Sequence, residues 1–174
     1  MRGGVGLATF TLGPSLVSGA SGDRVWIGDS GTGAITLFDA AGRQVAQMTV
    51  PIRPRAFSEA ALDRAKARAL ASADRPNMTA MYENLYDPSY RPRTAPLFTR
   101  FIPGPDGQMV VELFEEEERA VPRSALVLDR DGKPLAGFVI PAGVVVHEIG
   151  HDYMLGVHFD DDGIERVVQY RLRR

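Results

Sequence analysis

The sequence predicts an all-β fold, built from repeated units of four antiparallel strands and interrupted once by helices. The main observation is a repeat, because residues 35–51 (ITLFDAAGRQVAQMTVP) align without a gap with residues 125–141 (ALVLDRDGKPLAGFVIP). The strands before these segments also repeat, as GDRVWIGDS at 22–30 and DGQMVVELF at 106–114. A third copy of that strand is GHDYMLGVHF at 150–159, so the repeat runs along most of the chain.

Each aligned segment consists of two apolar strands joined by an Asp-x-x-Gly turn. The Asp side chain can accept hydrogen bonds from the turn backbone, and Gly can adopt the positive φ with which the chain enters the second strand. In the third unit, two further glycines are expected at a turn before a strand and at a hairpin tip. The predicted structural turns therefore lie at Asp39, Gly42, Asp129, Gly132, Gly150 and Gly163.

Without the insertion, the period is about 40 to 50 residues with four short strands per unit, which is typical of a β-propeller blade. The chain is predicted to form a single partial propeller domain over residues 1–174. Its parts are blade one at about 15–50, an insertion at 51–96, blade two at 97–141 and blade three at 142–174. Strands are predicted near 15–20, 24–29, 34–39, 44–50, 97–102, 108–114, 124–129, 135–140, 144–149, 153–159 and 165–172. Blade three lacks a fourth strand, which leaves about two and three-quarter blades of an incomplete ring.

A helical insertion is predicted around residues 58–86. Ser58 is a good N-cap and Glu59 lies in the first turn, and the residues that follow are rich in Ala, Arg and Lys. Met78 and Leu85 belong to a second apolar pattern that predicts another short helix. The insertion is expected to pack across one end of the sheets, where it either covers the core or gates a ligand.

The composition excludes several classes of function. The net charge of -2 gives no electrostatic reason to bind nucleic acid. The absence of Cys excludes disulfides, thiolate nucleophiles and Cys-ligated zinc. No apolar run is long enough to span a bilayer, so no membrane span is predicted. The N-terminus resembles a poor signal peptide, but LATFTL at 7–12 alternates like a strand.

Residues 22–51 and 126–172 resemble the C-terminal half of bacterial six-bladed β-propeller proteins of the NHL-repeat-like, TolB-like class. The shared features are the Asp-x-x-Gly hairpin, the strand that ends in Pro, the helical insertion and a final Arg-Leu-Arg, and the match covers about residues 21–174. The resemblance implies a scaffold and not a reaction. It also implies an exported or periplasmic protein. The sequence differs from this family at position 151, where it has His and the family usually has an acidic or small residue after the glycine that corresponds to Gly150.

A six-bladed ring needs roughly twice the length of this chain. Either the chain is a fragment of a longer one, or two copies form a homodimer that completes the propeller. In the second case the segment GLATFTLG at 6–13 is predicted to be a strand that supplies the missing fourth strand of blade three in the partner.

The segment HEIGH at 147–151 matches the H-E-x-x-H signature of zinc peptidases. On a helix, His147 and His151 would bind zinc, Glu148 would be the catalytic base, and His158 would be available as a third ligand. However, three valines precede the motif and Gly150 interrupts it, which favours a strand. On a strand, His147 and Glu148 are expected to point to opposite faces, so the groups would not converge on one metal.

Other segments give weaker signals. The segment HFDDDG at 158–163 contains carboxylates that could bind a cation, but it is also typical of a hairpin tip. The segment FEEEER at 114–119 is predicted to be a solvated loop. The aromatic and basic run 82–93 could line a peptide or carbohydrate groove or form a packed linker. The sequence favours a non-catalytic propeller scaffold for binding or protein interaction, with an unknown ligand and without an assigned cofactor. The alternative is a zinc-dependent metallopeptidase that uses the motif at 147–151.

Overall fold

The computed structural model describes residues 10, 12–116, 121–160 and 162–172 of the protein. Within these residues the chain forms eleven strands in three antiparallel sheets, with two α-helices between the first sheet and the second. The described chain is therefore mostly β, with a helical insertion, as the sequence predicts.

The three sheets follow one another along the chain, and in each sheet consecutive strands pair antiparallel. The first sheet contains β1 (Leu16–Ser21), β2 (Arg24–Asp29), β3 (Ala34–Phe38) and β4 (Gln44–Thr49). The second contains β5 (Phe98–Pro103), β6 (Met109–Leu113), β7 (Arg123–Leu128) and β8 (Pro134–Ile140). The third contains β9 (Val144–Ile149), β10 (Tyr153–Phe159) and β11 (Glu165–Arg171). Every strand begins and ends within one residue of its predicted range.

The insertion forms two helices, α1 (Glu59–Ala71) and α2 (Pro76–Leu85), so the predicted helical segment at 58–86 is confirmed. Ser58 is the N-cap of α1, because its hydroxyl accepts a hydrogen bond from the backbone N–H of Ala61 at 3.2 Å. The buried face of α1 includes Leu62. Neither helix is long and apolar enough to cross a membrane, and the same holds for the rest of the described chain.

The N-terminal segment packs on the insertion. Phe10 is buried, with its ring centroid 5.8 Å from that of Phe57 and 4.9 Å from that of Tyr86. Leu12 joins the same apolar cluster and lies in a turn. The prediction of a partner-pairing strand at 6–13 is therefore wrong for its described residues, because they form no strand and pack on the insertion of their own chain. The other residues of this segment lie outside the described part of the chain.

The first sheet packs face to face on the second. Trp26 of β2 is buried in the same cluster as Phe98 and Phe101 of β5. The sheets approach closely at Gly28, because a Cβ atom there would lie 2.8 Å from the ring of Phe101. Only glycine fits at this position without displacing an aromatic ring of the core.

The second sheet packs with its other face on the third. Residues of β5 to β8 and of β9 and β10 share one core cluster, which contains Ile102, Val110, Ala125, Ile140, Val144, Val146, Ile149 and Met154. The middle sheet is therefore covered on both faces. At one side of this stack β1 contacts β5, and β5 contacts β9, so the first strands of the three sheets are neighbours.

The repeat extends to an irregularity of the backbone. In the first sheet the pairing of β3 with β4 shifts by one residue and leaves Val45 as a bulge. In the second sheet the pairing of β7 with β8 shifts in the same way at Leu135, which aligns with Val45 in the sequence repeat. The two aligned segments thus share the turn and the bulge that follows it.

Candidate functional site

The HEIGH motif at 147–151 does not form a helix. Its first three residues are the end of β9, and Gly150 and His151 belong to the turn that leads into β10. The run of valines before the motif predicts a strand, and this strand-turn-strand arrangement agrees with that prediction. The helical geometry that a zinc peptidase needs, with His147 and His151 on one face, is absent from this segment.

A β-bulge changes where the first two motif residues lie. The pairing of β9 with β10 shifts between Val146 and Glu148, so His147 is the extra residue. Val146 and Ile149 are buried, and the two residues between them are exposed. The expectation that His147 and Glu148 point to opposite faces is therefore wrong, because the bulge interrupts the alternation of the strand.

The structure does not bring the three histidines together. His151 precedes β10 and His158 is near its other end, and seven residues of extended strand span roughly 20 Å. Glu148 accepts a hydrogen bond from the hydroxyl of Tyr153. This hydrogen bond, with the charge of the carboxylate, raises the pKa of Tyr153. In the described part of the chain, no three His, Asp or Glu side chains are grouped so that they could hold a metal ion.

The turn at Gly150 is shaped by Tyr153. A Cβ atom on Gly150 would lie 2.1 Å from the Tyr153 ring, so this ring occupies the space that any other residue would need. The backbone N–H of Gly150 donates to the carbonyl of Tyr153 at 2.9 Å, which closes the turn. The turn presents His151 to solvent, with its Nδ1 atom 3.6 Å from Oδ2 of Asp106.

Three hairpins share one Asp-Gly turn. In each, the Asp carboxylate accepts hydrogen bonds from the backbone N–H groups two and four residues further along the chain. The two donor–acceptor distances are 2.9 and 2.9 Å at Asp39, 2.9 and 2.8 Å at Asp129, and 3.2 and 2.8 Å at Asp160. Hydrogen bonds from the backbone and side chain of Arg43 also hold the pKa of Asp39 below its ordinary value. The glycine at the fourth position has φ of 75°, 84° and 75° at Gly42, Gly132 and Gly163.

The segment HFDDDG is the third copy of this turn. Asp160 accepts its two backbone hydrogen bonds and also pairs with Arg166 at 3.2 Å. Its carboxylate therefore closes the hairpin between β10 and β11, which supports the hairpin-tip interpretation. The spacing of Asp160 and Gly163 was the signal in the sequence that relates this turn to the other two.

A buried ion pair lies between the second and third sheets. Glu112 on β6 and Arg123 on β7 are both buried, and Nε of Arg123 donates to Oε1 of Glu112. The same guanidinium donates to the carbonyl of Val144 on β9. One oxygen of Glu112 and one nitrogen of Arg123 are buried and have no hydrogen-bond partner among the residues that the structure describes. The pair was missed from the sequence, although a charge in the apolar run MVVEL was a usable signal.

The aromatic and basic run at 82–93 contributes mainly to packing. Tyr86 is buried in the cluster under the helices, whereas Tyr90 is exposed. Arg91 pairs with Glu59 of α1 at 3.4 Å. Arg91 and Arg93 line a cavity of about 210 Å³ beside α1, which is smaller than the usual size of a small-molecule site. The packed-linker interpretation explains these contacts better than a binding groove does.

The two end sheets of the stack each leave an apolar face open. On the first sheet the side chains that alternate with buried Trp26 are exposed, including Val25 and Ile27. On the third sheet Val167 is 76% exposed and pairs with Val157 across the β10–β11 ladder. Exposed apolar residues that are contiguous on a sheet face are typical of interaction surfaces.

Comparison with known proteins supplies no relative from which a function could be transferred. The chain matches no protein-family model and no curated protein. What the protein does must therefore be inferred from its own geometry.

Proposed function

We propose that the chain is a non-catalytic scaffold of the β-propeller type, which acts by binding other proteins. The observation that carries this proposal is the stack of three antiparallel sheets whose first strands are neighbours. Propeller blades pack face to face in this way around a central axis. The resemblance of residues 22–51 and 126–172 to six-bladed propeller proteins supports the same arrangement.

The partner that best fits the open faces is a second copy of the chain. In a closed propeller every blade face is covered by a neighbouring blade, whereas in the described part of this chain Val25, Ile27 and Val167 leave apolar surface exposed on the outer faces of the first and third sheets. Three sheets are half of a six-bladed ring, so two copies would supply the required number. In that assembly the face with Val25 and Ile27 would meet the face with Val157 and Val167 of the other copy.

Sedimentation equilibrium of the purified chain tests this proposal. The wild-type chain is expected to be a dimer, and Val25→Lys or Val167→Lys should convert it into a monomer, because each places a charge on an open face. Val139→Lys is the matched control, since Val139 is an exposed valine on the edge strand β8 of the middle sheet, with an exposed fraction of 63% that lies between those of Val25 (43%) and Val167 (76%). A folded wild-type monomer at the highest soluble concentration would refute the dimer, as would loss of the dimer in the control alone.

A further inference from the structure

A cavity of about 450 Å³ opens between the second and third sheets, at the end where the β9–β10 turn lies. Its walls are mainly apolar and include Val127, Ala136, Phe138, Ile149 and Leu172. This volume lies within the range of about 300–1,000 Å³ that small-molecule sites occupy. The site differs from the open sheet faces described above, and it does not require a second copy of the chain.

The cavity lies beside the edge strand β8 of the second sheet. Among the described residues the third sheet has three strands and the second has four, and residues 134–137 of β8 are exposed. Phe138 and Val127 are only partly buried against the core that the two sheets share. The apolar wall is therefore part of an interior that remains open on one side.

Polar groups are concentrated at the mouth of the cavity. His151 and Gln108 line it, and the Asp106 carboxylate lies 3.6 Å from Nδ1 of His151. Asp106 has φ of 57° and ψ of 27°, and it is the one described residue other than glycine with a positive φ. Asp106 and Gly107 (φ of 74°) are the two central residues of the β5–β6 hairpin turn, a geometry that Asp-Gly pairs favour, and this turn places the Asp106 carboxylate beside His151.

The charges at the mouth restrict the ligand. No Lys or Arg is among the described residues that line the cavity, and the nearby carboxylate of Asp106 disfavours an anion. The imidazole of His151 can donate or accept a hydrogen bond with a ligand hydroxyl. Gln108 adds a carboxamide that can donate or accept a hydrogen bond.

We infer that this cavity binds a small, uncharged, mainly apolar molecule with one hydroxyl group, such as an alkylphenol. The apolar body of the ligand packs on Phe138 and Val127. Its hydroxyl lies at the mouth, where it hydrogen-bonds with His151 or Gln108. This site goes beyond the proposed scaffold function, because it gives the protein a specific small ligand whether or not two copies assemble.

Fluorescence of N-phenylnaphthylamine, an uncharged apolar dye, tests the site in the full chain. The dye is expected to bind saturably at one site and to be displaced by para-butylphenol. Ala136→Phe should abolish binding, because the added ring fills the cavity. Val139→Phe is the matched control, since it adds the same bulk to β8 outside the cavity walls. Circular dichroism of both variants shows whether each is folded.

Three competitors then test the chemistry of the mouth. Para-butylphenol should bind more tightly than butylbenzene, and the anion para-butylbenzoate should bind most weakly. His151→Leu should raise the dissociation constant of para-butylphenol by about three- to tenfold, which corresponds to the loss of one hydrogen bond. The dissociation constant of butylbenzene should change by less than about twofold. In a ¹⁵N correlation spectrum, bound phenol should shift the amide signals of Gly137 and Gly150 but not that of Gly42. Absence of saturable binding, equal binding by Ala136→Phe, or a preference for the anion would overturn the inference.

Discussion

The carboxylate of Glu116 accepts two hydrogen bonds from Ser58, one from the backbone N–H at 2.8 Å and one from the hydroxyl at 2.5 Å. Ser58 is the N-cap of α1, so these bonds join the start of the insertion to the segment after β6. Arg55 reinforces the junction, because it donates to the carbonyl of Phe114 at 2.7 Å and pairs with Glu115 at 3.6 Å. The negative charge of Glu116 also interacts favourably with the positive end of the α1 dipole.

Replacing Glu116 with Gln is expected to destabilise the protein in a pH-dependent manner. Burial raises the pKa of Glu116, but hydrogen bonds from Ser58 and the charges of Arg55 and Arg64 outweigh it, so the pKa lies below its ordinary value. The carboxylate therefore contributes stability above its ordinary pKa, and this contribution is lost as the pH falls through the lowered pKa.

Thermal melts at about pH 7 and about pH 3 measure this contribution. Near pH 7 the Glu116→Gln variant should melt about 2–4 °C below wild type, which corresponds to about 1 kcal/mol. Near pH 3 the two curves should approach each other. Glu115→Gln is the control, because it removes only a partly exposed ion pair and should cost less. A melting difference that is constant with pH would contradict the assigned role.

The buried pair of Glu112 and Arg123 predicts a strongly non-additive double-mutant cycle. Glu112→Leu leaves the Arg123 guanidinium buried without its carboxylate partner and should cost about 3–5 kcal/mol. Changing both residues, to Leu and Met, removes the charge as well and should recover most of the loss. Denaturant unfolding of the four proteins gives the coupling energy. If the losses of unfolding free energy in the two single variants add up to the loss in the double variant, the two charges do not stabilise each other.

The strands and the insertion could be predicted because their signals are local and repeated. The aligned apolar positions on either side of Asp39 and Asp129 indicate where two strands and a turn must lie. Ser58 could be recognised as a cap, since its own type and position favour that role. Its partner Glu116 is 58 residues away in the sequence, so this contact depends on how the second sheet packs beside the insertion.

The local chemistry of the HEIGH segment could be predicted only in part. The valines before His147 indicate a strand, but nothing in the alternation of apolar residues reveals that His147 is a bulge. A bulge depends on the pairing of β9 with β10, where Gly156 faces Val146 and Leu155 faces Glu148. The pairing of His151 with Asp106 also escapes sequence analysis, because it brings together turns of two different sheets.

The Asp-Gly turn of the second sheet predicts a specific loss of stability. Asp129→Ala removes both backbone hydrogen bonds that the carboxylate accepts, at 2.9 Å from Asp131 and 2.8 Å from Lys133. The expected cost is about 1–2 kcal/mol, or a decrease of a few degrees in melting temperature. Asp131→Ala in the same hairpin is the control and should cost less, because its side chain is exposed. Equal losses in both variants would mean that the Asp129 carboxylate has no special role.

The contact of Gly150 with Tyr153 predicts a clash that a second change can relieve. Gly150→Ala forces the Tyr153 ring to move, since the new Cβ would lie 2.1 Å from it, and should cost about 1–3 kcal/mol. Tyr153→Ser removes the ring, and in that background Gly150→Ala should have little further effect. Chemical denaturation of the single and double variants measures the coupling. If Gly150→Ala costs the same in both backgrounds, the strain lies in the backbone and not in the Tyr153 ring.

Zinc provides a final test of the motif at 147–151. A ligand that binds only the folded chain raises its stability by about 2.7 kcal/mol at a hundred times its dissociation constant. Because His147 lies in a bulge and His151 and His158 lie near opposite ends of β10, excess Zn²⁺ is expected to leave the melting temperature unchanged. Metal analysis after dialysis should find less than one zinc per chain, and His147→Ala should not alter that value. A rise of several degrees that disappears in His147→Ala would show that the histidines converge on a metal after all.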